Sequence, residues 1–234
     1  MAIIDKSKLT KIEIIQVATS LFLEVGYSKT SPKMIADKLK ISTGNLTYHY
    51  PTKEHLLAVL VEMLCKFQWN LMKQETEDGT NRIMAICLEL MSMASACEKD
   101  DVARDFFISA YTSPMCIDII RRNDADRAKT VFGEYCGEWD EKQFAEAEIL
   151  VSGIEYSTLM VTEFNVPLDI RITGALNQIL SIYNVPEETR KIKIKKVLDV
   201  DYIKTGKRIL KEFTEYVKKA NDDAFDKIIS GIKS

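Results

Sequence analysis

Residues 43–49, TGNLTYH, bring five hydrogen-bonding side chains into two helical turns: Thr43, Asn45, Thr47, Tyr48 and His49. Leu46 and Tyr50 stand at i and i+4, so both can face a core, and the other five have no apolar reason to be there. Their chemistry suits DNA. Asn pairs bidentately with adenine, and Thr donates to a base or gives its methyl to thymine. Tyr and His suit phosphate oxygens. Gly44 lowers helix propensity by about 1 kcal/mol relative to Ala, a loss offset if another backbone must come close. Lys53 and the free N–H groups opening the next helix are further phosphate partners. Ser31, Lys33 and Ser42 complete the candidate set. The residues alone leave a second reading open, in which they are the solvated face of a small helical unit.

Such a row must be held rigidly, and the flanking sequence predicts how. Ser31 is an N-cap with Pro32 at the first helical position, opening a short helix over 32–39 with Ile35, Ala36 and Leu39 inward. Lys40 and Ile41 form the turn. Ser42 caps the next helix, over 43–49, with Ile41 and Leu46 placed as a hydrophobic staple. Two short helices across a tight turn make a helix-turn-helix. Ahead of them, 8–25 carries Ile14, Val17, Ala18, Leu21 and Val25 at helical spacing, ending at Gly26. A long helix is expected from Lys53 to about Glu77, broken by Asp78-Gly79. Further helices fit 80–97, 101–111, 115–136, 141–163, 168–183, 187–198, 201–219 and 222–232, with breaks at Asp100, Pro114, Gly137, Pro167, Pro186 and Asn221. The expectation is an all-α fold, with a three-helix head over 1–52 and a larger helical body over 53–234.

Composition agrees. The 234 residues include only nine Gly and five Pro, few turn-formers for their length. The net charge of −3 is unevenly spread: +3 over residues 1–54, −10 over 55–185 and +4 over 186–234. A basic head on an acidic body orients itself at a polyanion. The five cysteines form no C-x-x-C pair, and His49 and His55 are the only histidines, so neither a zinc cluster nor a disulfide framework is expected. Reduced, buried thiols in a cytosolic protein are the expectation. The opening MAIIDKSKL lacks a signal-peptide core, and no run of about 18 apolar residues predicts a membrane span. The sequence holds no glycine-rich phosphate loop or catalytic constellation, so neither an enzyme nor a cofactor is expected; a helical enzyme is the distant alternative.

Ser31, Ile35, Ala36, Ile41, Ser42, Gly44, Leu46, Tyr48, His49, Tyr50, Lys53 and Leu56 follow one another without a gap in the fingerprint of a known family. Residues 8–57 resemble the N-terminal domain of the TetR family of transcriptional repressors. Two positions depart from the pattern. Lys40 replaces the turn glycine, where positive φ is needed and costly for Lys, although Lys40 can also reach a phosphate. Thr47 stands where the family frequently has Tyr. The resemblance implies that 1–52 is a DNA-binding domain and that 53–234 binds a small ligand and forms a homodimer. It implies recognition of double-stranded DNA at a palindromic operator, because two short recognition helices about 34–36 Å apart can read one.

The dimer helices are expected at 141–163, with Phe144, Ala147, Val151, Ile154, Thr158 and Val161, and at 168–183, with Ile172, Ala175, Leu176, Ile179 and Tyr183. Gly153 and Gly174 would permit close approach, and the helices of 187–232 would join or cover the interface. Candidate pocket residues are Trp69, Met72, Met91, Phe106, Phe107, Tyr111, Trp139, Tyr156 and Met160. Each also reads as plain core. Glu89, Asp105 and Glu155 could meet a cationic ligand, but each reads first as a solvated acid, and the basic run 190–196 reads as a solvated helix face. The function expected is a ligand-released homodimeric repressor. The alternative is a related activator or coregulator-dependent regulator without a small-molecule inducer.

Overall fold

The computed structural model of the chain describes residues 6–77, 81–160 and 166–230. Among them every regular element is an α-helix. In chain order these are α1 (Lys6–Glu24), α2 (Pro32–Leu39), α3 (Thr43–His49), α4 (Lys53–Glu77), α5 (Arg82–Lys99), α6 (Asp101–Thr112), α7 (Pro114–Phe132), α8 (Glu141–Leu159), α9 (Leu168–Ile182), α10 (Glu187–Leu198) and α11 (Tyr202–Ser230).

The head forms from local instructions. Ser31 Oγ accepts from Met34 N–H at 3.2 Å, and Pro32 opens α2. The helix ends at Lys40, which adopts φ 56° and ψ 37°. There the Ile41 N–H bonds Ala36 O at 3.0 Å and the Lys40 N–H bonds Asp37 O at 3.1 Å, the pairing that closes a helix through a left-handed residue. Ser42 Oγ then accepts from Asn45 N–H at 3.1 Å and starts α3. Ile35 and Leu46 are buried beneath the two helices, beside Ile14, Ala18 and Phe22 of α1. Each of these side chains other than Ala18 contributes about 1.5–3 kcal/mol by burial. The head core runs on into Leu56, Leu57 and Leu60 of α4 as one continuous cluster.

In the body, α4 packs on α7, α7 on α8, and α8 on α9, while α10 lies against α9 and α5. The last helix, α11, lies along α5 and reaches back to α1 in the head. Two expected helices, 201–219 and 222–232, are therefore one. Asn221 does not break it, because its side chain is buried and donates to Thr19 Oγ1 at 3.1 Å. Helix α7 stops at Phe132 and α8 at Leu159, each earlier than expected. Val161 of the expected dimer helix and the Asp78-Gly79 break lie outside the described residues. All five cysteines are free and buried, and burial pushes the Cys87 and Cys97 thiols up to about 12. Among the described residues no helix is long and apolar enough to cross a membrane.

Candidate nucleic-acid interface and interior chamber

Helix α3 rests on Leu46 and turns Thr43, Gly44, Asn45, Thr47 and Tyr48 to solvent. Tyr48 is 80% exposed, the barest large hydrophobic side chain among the described residues of the head. A Cβ at Gly44 would meet only Ser42 Oγ, at 3.8 Å. The chain's own packing therefore does not require a glycine there. Thr47 Oγ1 donates to Gly44 O at 3.1 Å, which leaves the oxygen free to accept from a partner. Ser31 and Ser42 spend their hydroxyl oxygens on capping. Lys33 is exposed on α2.

Lys53 differs from expectation. Its ammonium donates to Tyr27 O at 2.9 Å and Thr30 O at 3.0 Å, and lies 4.0 Å from the Tyr27 ring centroid. Desolvation lowers its pKa. Lys53 is thus the tie between α4 and the loop after α1, because one side chain gathers two carbonyls of that loop. His49 is half-buried, with a ring edge against Tyr48 and Nδ1 without a partner. Tyr50 caps α3 and its hydroxyl reaches Lys11 O on α1 at 3.4 Å.

A second tie has no local signature in the sequence. Asp105 on α6 accepts from Ser28 N–H at 2.8 Å and from the Ser28 hydroxyl. It also presses on Gly26, whose φ is 105° and whose added Cβ would lie 2.9 Å from Asp105 Oδ2. Asp105 therefore fastens head to body. Glu54 of α4 likewise accepts from the Ser113 hydroxyl at the start of α7.

The body encloses an acidic cluster. Arg127 is paired with Glu89 and, at 3.1 Å, with Asp124. Gln68 donates to Glu89 at 2.8 Å. Tyr111 donates to Glu155 at 2.8 Å, and Tyr183 donates to Glu148. Burial raises the Asp124 carboxyl to about 6 against the pull of Arg127, and raises Glu148 to about 8. Glu155 is also pushed well up, by burial and then by Asp124 and Glu148. Burial opposes the Arg127 charge, but Glu89 and Asp124 hold it protonated. Glu89 and Glu155, expected as solvated acids, are thus interior groups, and they converge with Asp124, Glu148 and Arg127, which the sequence alone does not single out. The available signal is that Glu148 and Glu155 share the apolar face of α8 with Val151.

Two cavities meet at Glu89. One of about 30 Å³ is lined by Leu64, Phe67, Gln68, Phe107 and, from α11, Gly206 and Phe213. The other, also about 30 Å³, is lined by Asp124, Arg127, Glu148, Glu155 and Tyr183. Among the expected pocket residues Phe107 lines the first, and Tyr111 bonds a wall residue of the second. Trp69, Met72, Met91, Phe106, Trp139, Tyr156 and Met160 line neither. Met72, Met91 and Phe106 are core, and Trp139 packs on Phe144 and Tyr183.

Most of the stripe expected at a dimer interface is not on the surface. Phe144, Ala147, Val151 and Thr158 of α8, and Ile172, Ala175, Leu176, Ile179 and Tyr183 at α9, are buried within the chain itself. The apolar residues left bare are Ile149, Leu150 and Ile170. Beside them Gly153 and Gly174 line a surface groove, and a Cβ on either would meet nothing within 4 Å.

Residues 14–60 match the family described as bacterial regulatory proteins, tetR family. The HTH-type transcriptional regulator QacR of Staphylococcus aureus (strain Mu50) is 38% identical over 73 residues, which cover 31% of this chain and 39% of QacR. The matched segment is thus well under two thirds of QacR. The TetR family protein CprB from S. coelicolor A3(2) overlays with a TM-score of 0.42 and 18% identity, covering 88% of this chain and 99% of CprB. A gamma-butyrolactone receptor, an ArpA-like protein, overlays with a TM-score of 0.40 and 19% identity, covering 89% of this chain and 99% of its own. The N-terminal match, the gapless fingerprint and the capped helix pair coincide, so the head of this chain is similar to the head of tetR-family regulators.

Proposed function

We propose that this chain is a DNA-binding transcriptional regulator, acting as a homodimeric repressor on a palindromic operator in the cytoplasm. The observation that carries the reading is α3 itself: a capped helix anchored by buried Leu46, with Asn45, Thr43, Thr47 and Tyr48 facing outward. Asn45 and the two threonines are the base readers, and Tyr48 and His49 the phosphate contacts. Lys33 and Lys40 are exposed cations placed to meet the DNA backbone. Docking of two copies through Ile149, Leu150 and Ile170 would present two such helices to successive turns of the major groove. A small-molecule effector in the body would lower operator affinity by favouring a different head spacing. The acidic cluster around Arg127, two of whose acids burial pushes toward the neutral form, would be relieved by an effector that carries positive charge.

Selection of bound duplexes from a random DNA pool tests the reading. A palindromic sequence should emerge, and Asn45→Ala should relax the preference at one base position at a cost of about 1–3 kcal/mol. Recovery of no preferred sequence, or an unchanged preference in Asn45→Ala, would count against it. One observation favours the second reading, a regulator or activator that answers to a protein and not to a small molecule. Each of the two interior cavities measures about 30 Å³, room for about one water. A compound that raises the melting temperature and weakens operator binding decides for the effector. A compound that stabilises the protein and leaves operator affinity unchanged decides against release by that ligand.

A further inference from the structure

Thr19 and Asn221 are among the few polar side chains buried where head meets body. Thr19 lies in the second half of α1, and its hydroxyl donates back to Ile15 O at 2.7 Å. The oxygen thereby keeps a lone pair, and Asn221 Nδ2 donates into it at 3.1 Å across 202 residues of chain. A buried polar contact between distant elements fixes one relative placement, because sliding by a turn would strand both groups.

The two ends of α11 answer to different neighbours. Near its start Gly206 sits against α5, where a Cβ would come within 3.0 Å of Ser92 O and 3.3 Å of Ser95. Ile209, Leu210 and Phe213 then close the apolar cavity, and Phe213 packs on Phe67 of α4 and Phe106 of α6. About four helical turns beyond Gly206, Asn221 holds α1. From α1 the path to DNA is short, since Tyr50 at the end of α3 reaches Lys11 O. Helix α11 thus touches both the cavity wall and the helix whose Lys11 O meets Tyr50 at the end of α3.

We infer that Asn221 is a positioning residue for operator binding: by its bond to Thr19, α11 sets how the DNA-reading head sits on the body. The inference rests on the DNA-binding reading above. The bond contributes nothing to base recognition. It fixes the separation of the two α3 helices in a dimer, and its rupture lets that separation vary.

The test uses the full-length chain with Thr19→Val, Asn221→Leu and Thr19→Ser. Each is titrated against the selected operator, the same operator with its half-site spacing changed by one or two base pairs, and a single half-site. Thr19→Val and Asn221→Leu should each weaken binding at the native spacing by about 10-fold, within the range for coupling between distant sites. Half-site affinity should stay within about 2-fold, well below that coupling, and spacing preference should flatten. Thr19→Ser keeps the hydroxyl and should match the wild type. Equal loss on half-site and palindrome would mean a merely structural bond and would overturn the inference, as would no change in any duplex. Should Thr19→Val not fold, Asn221→Leu decides, since it leaves the Thr19 hydroxyl its Ile15 partner. A wild type that selects no DNA removes the regulator reading and this inference with it. A wild type that binds, alongside variants that bind identically, removes this inference alone.

Discussion

Replacing Lys40 with glycine should stabilise the protein. Lys40 holds φ 56° and ψ 37° between α2 and α3, where its Cβ crowds the following carbonyl at a cost of roughly 1–2 kcal/mol for an L-residue. Glycine removes that term but restores backbone freedom to the unfolded chain, worth roughly 0.5–1 kcal/mol in the other direction. The side chain is exposed, so its own contacts contribute little to offset the change. The net gain is about 0.5–1 kcal/mol, or roughly 2 °C in melting temperature for a chain of this length. Urea and thermal unfolding would measure it, with Lys40→Val as the opposite arm, since a β-branched residue at positive φ should cost more than lysine does. Asn184 is an internal control. It has the same φ of 56° just after α9, but asparagine tolerates that region, so Asn184→Gly should gain less. A Lys40→Gly protein that is no more stable than wild type would refute the strain argument. The operator assay adds a second readout: if Lys40 meets a phosphate, the same variant should reduce the salt slope by about 1.

Lys53→Met keeps the stem but removes the donor to Tyr27 O and Thr30 O, so it should cost about 1–2 kcal/mol of stability. It should leave the salt slope of DNA binding unchanged, whereas loss of a phosphate-bound lysine would lower that slope by about 1. Asp105→Ala should speed hydrogen exchange at the Ser28 amide, which loses its 2.8 Å acceptor, while the amides of α8 keep their protection. Exchange that rises equally in both regions would show global destabilisation in place of a local tie. Glu148→Gln tests the acidic cluster. The folded pKa of about 8 exceeds the unfolded value of 4.5, so the folded state binds the extra proton. Its contribution is intact below the unfolded value and is lost as pH rises through the folded one. Glu148→Gln should therefore flatten the decline in melting temperature between about pH 5 and 8, and an unchanged decline would place Glu148 in water.

The head was legible because its instructions are local. Ser31, Pro32, Ser42 and Leu46 each act within four residues of their own position, and the structure places them as the spacing predicts. Even the strained Lys40 was visible, since it stands where the family resemblance puts a turn glycine. The body was legible as helices but not as a site. Lys53 reads as a phosphate partner in the sequence because its acceptors, Tyr27 O and Thr30 O, come within reach only once the α1–α2 loop has folded. Glu89, Asp124, Glu148 and Glu155 sit at ordinary helical spacings on three helices, and only their convergence on Arg127 makes them a cluster.

Asn221 shows the same limit most sharply. By local propensity it reads as a helix stop, because asparagine competes with the helix for backbone bonds. In the folded chain its amide is already committed to Thr19, so that competition is removed and α11 runs on. The residue whose type argues for a break is the one that fastens the last long helix to the first. A polar residue that defies its local propensity in a buried contact is under a tertiary constraint, and here that constraint joins α1 of the head to the helix that walls the interior cavity.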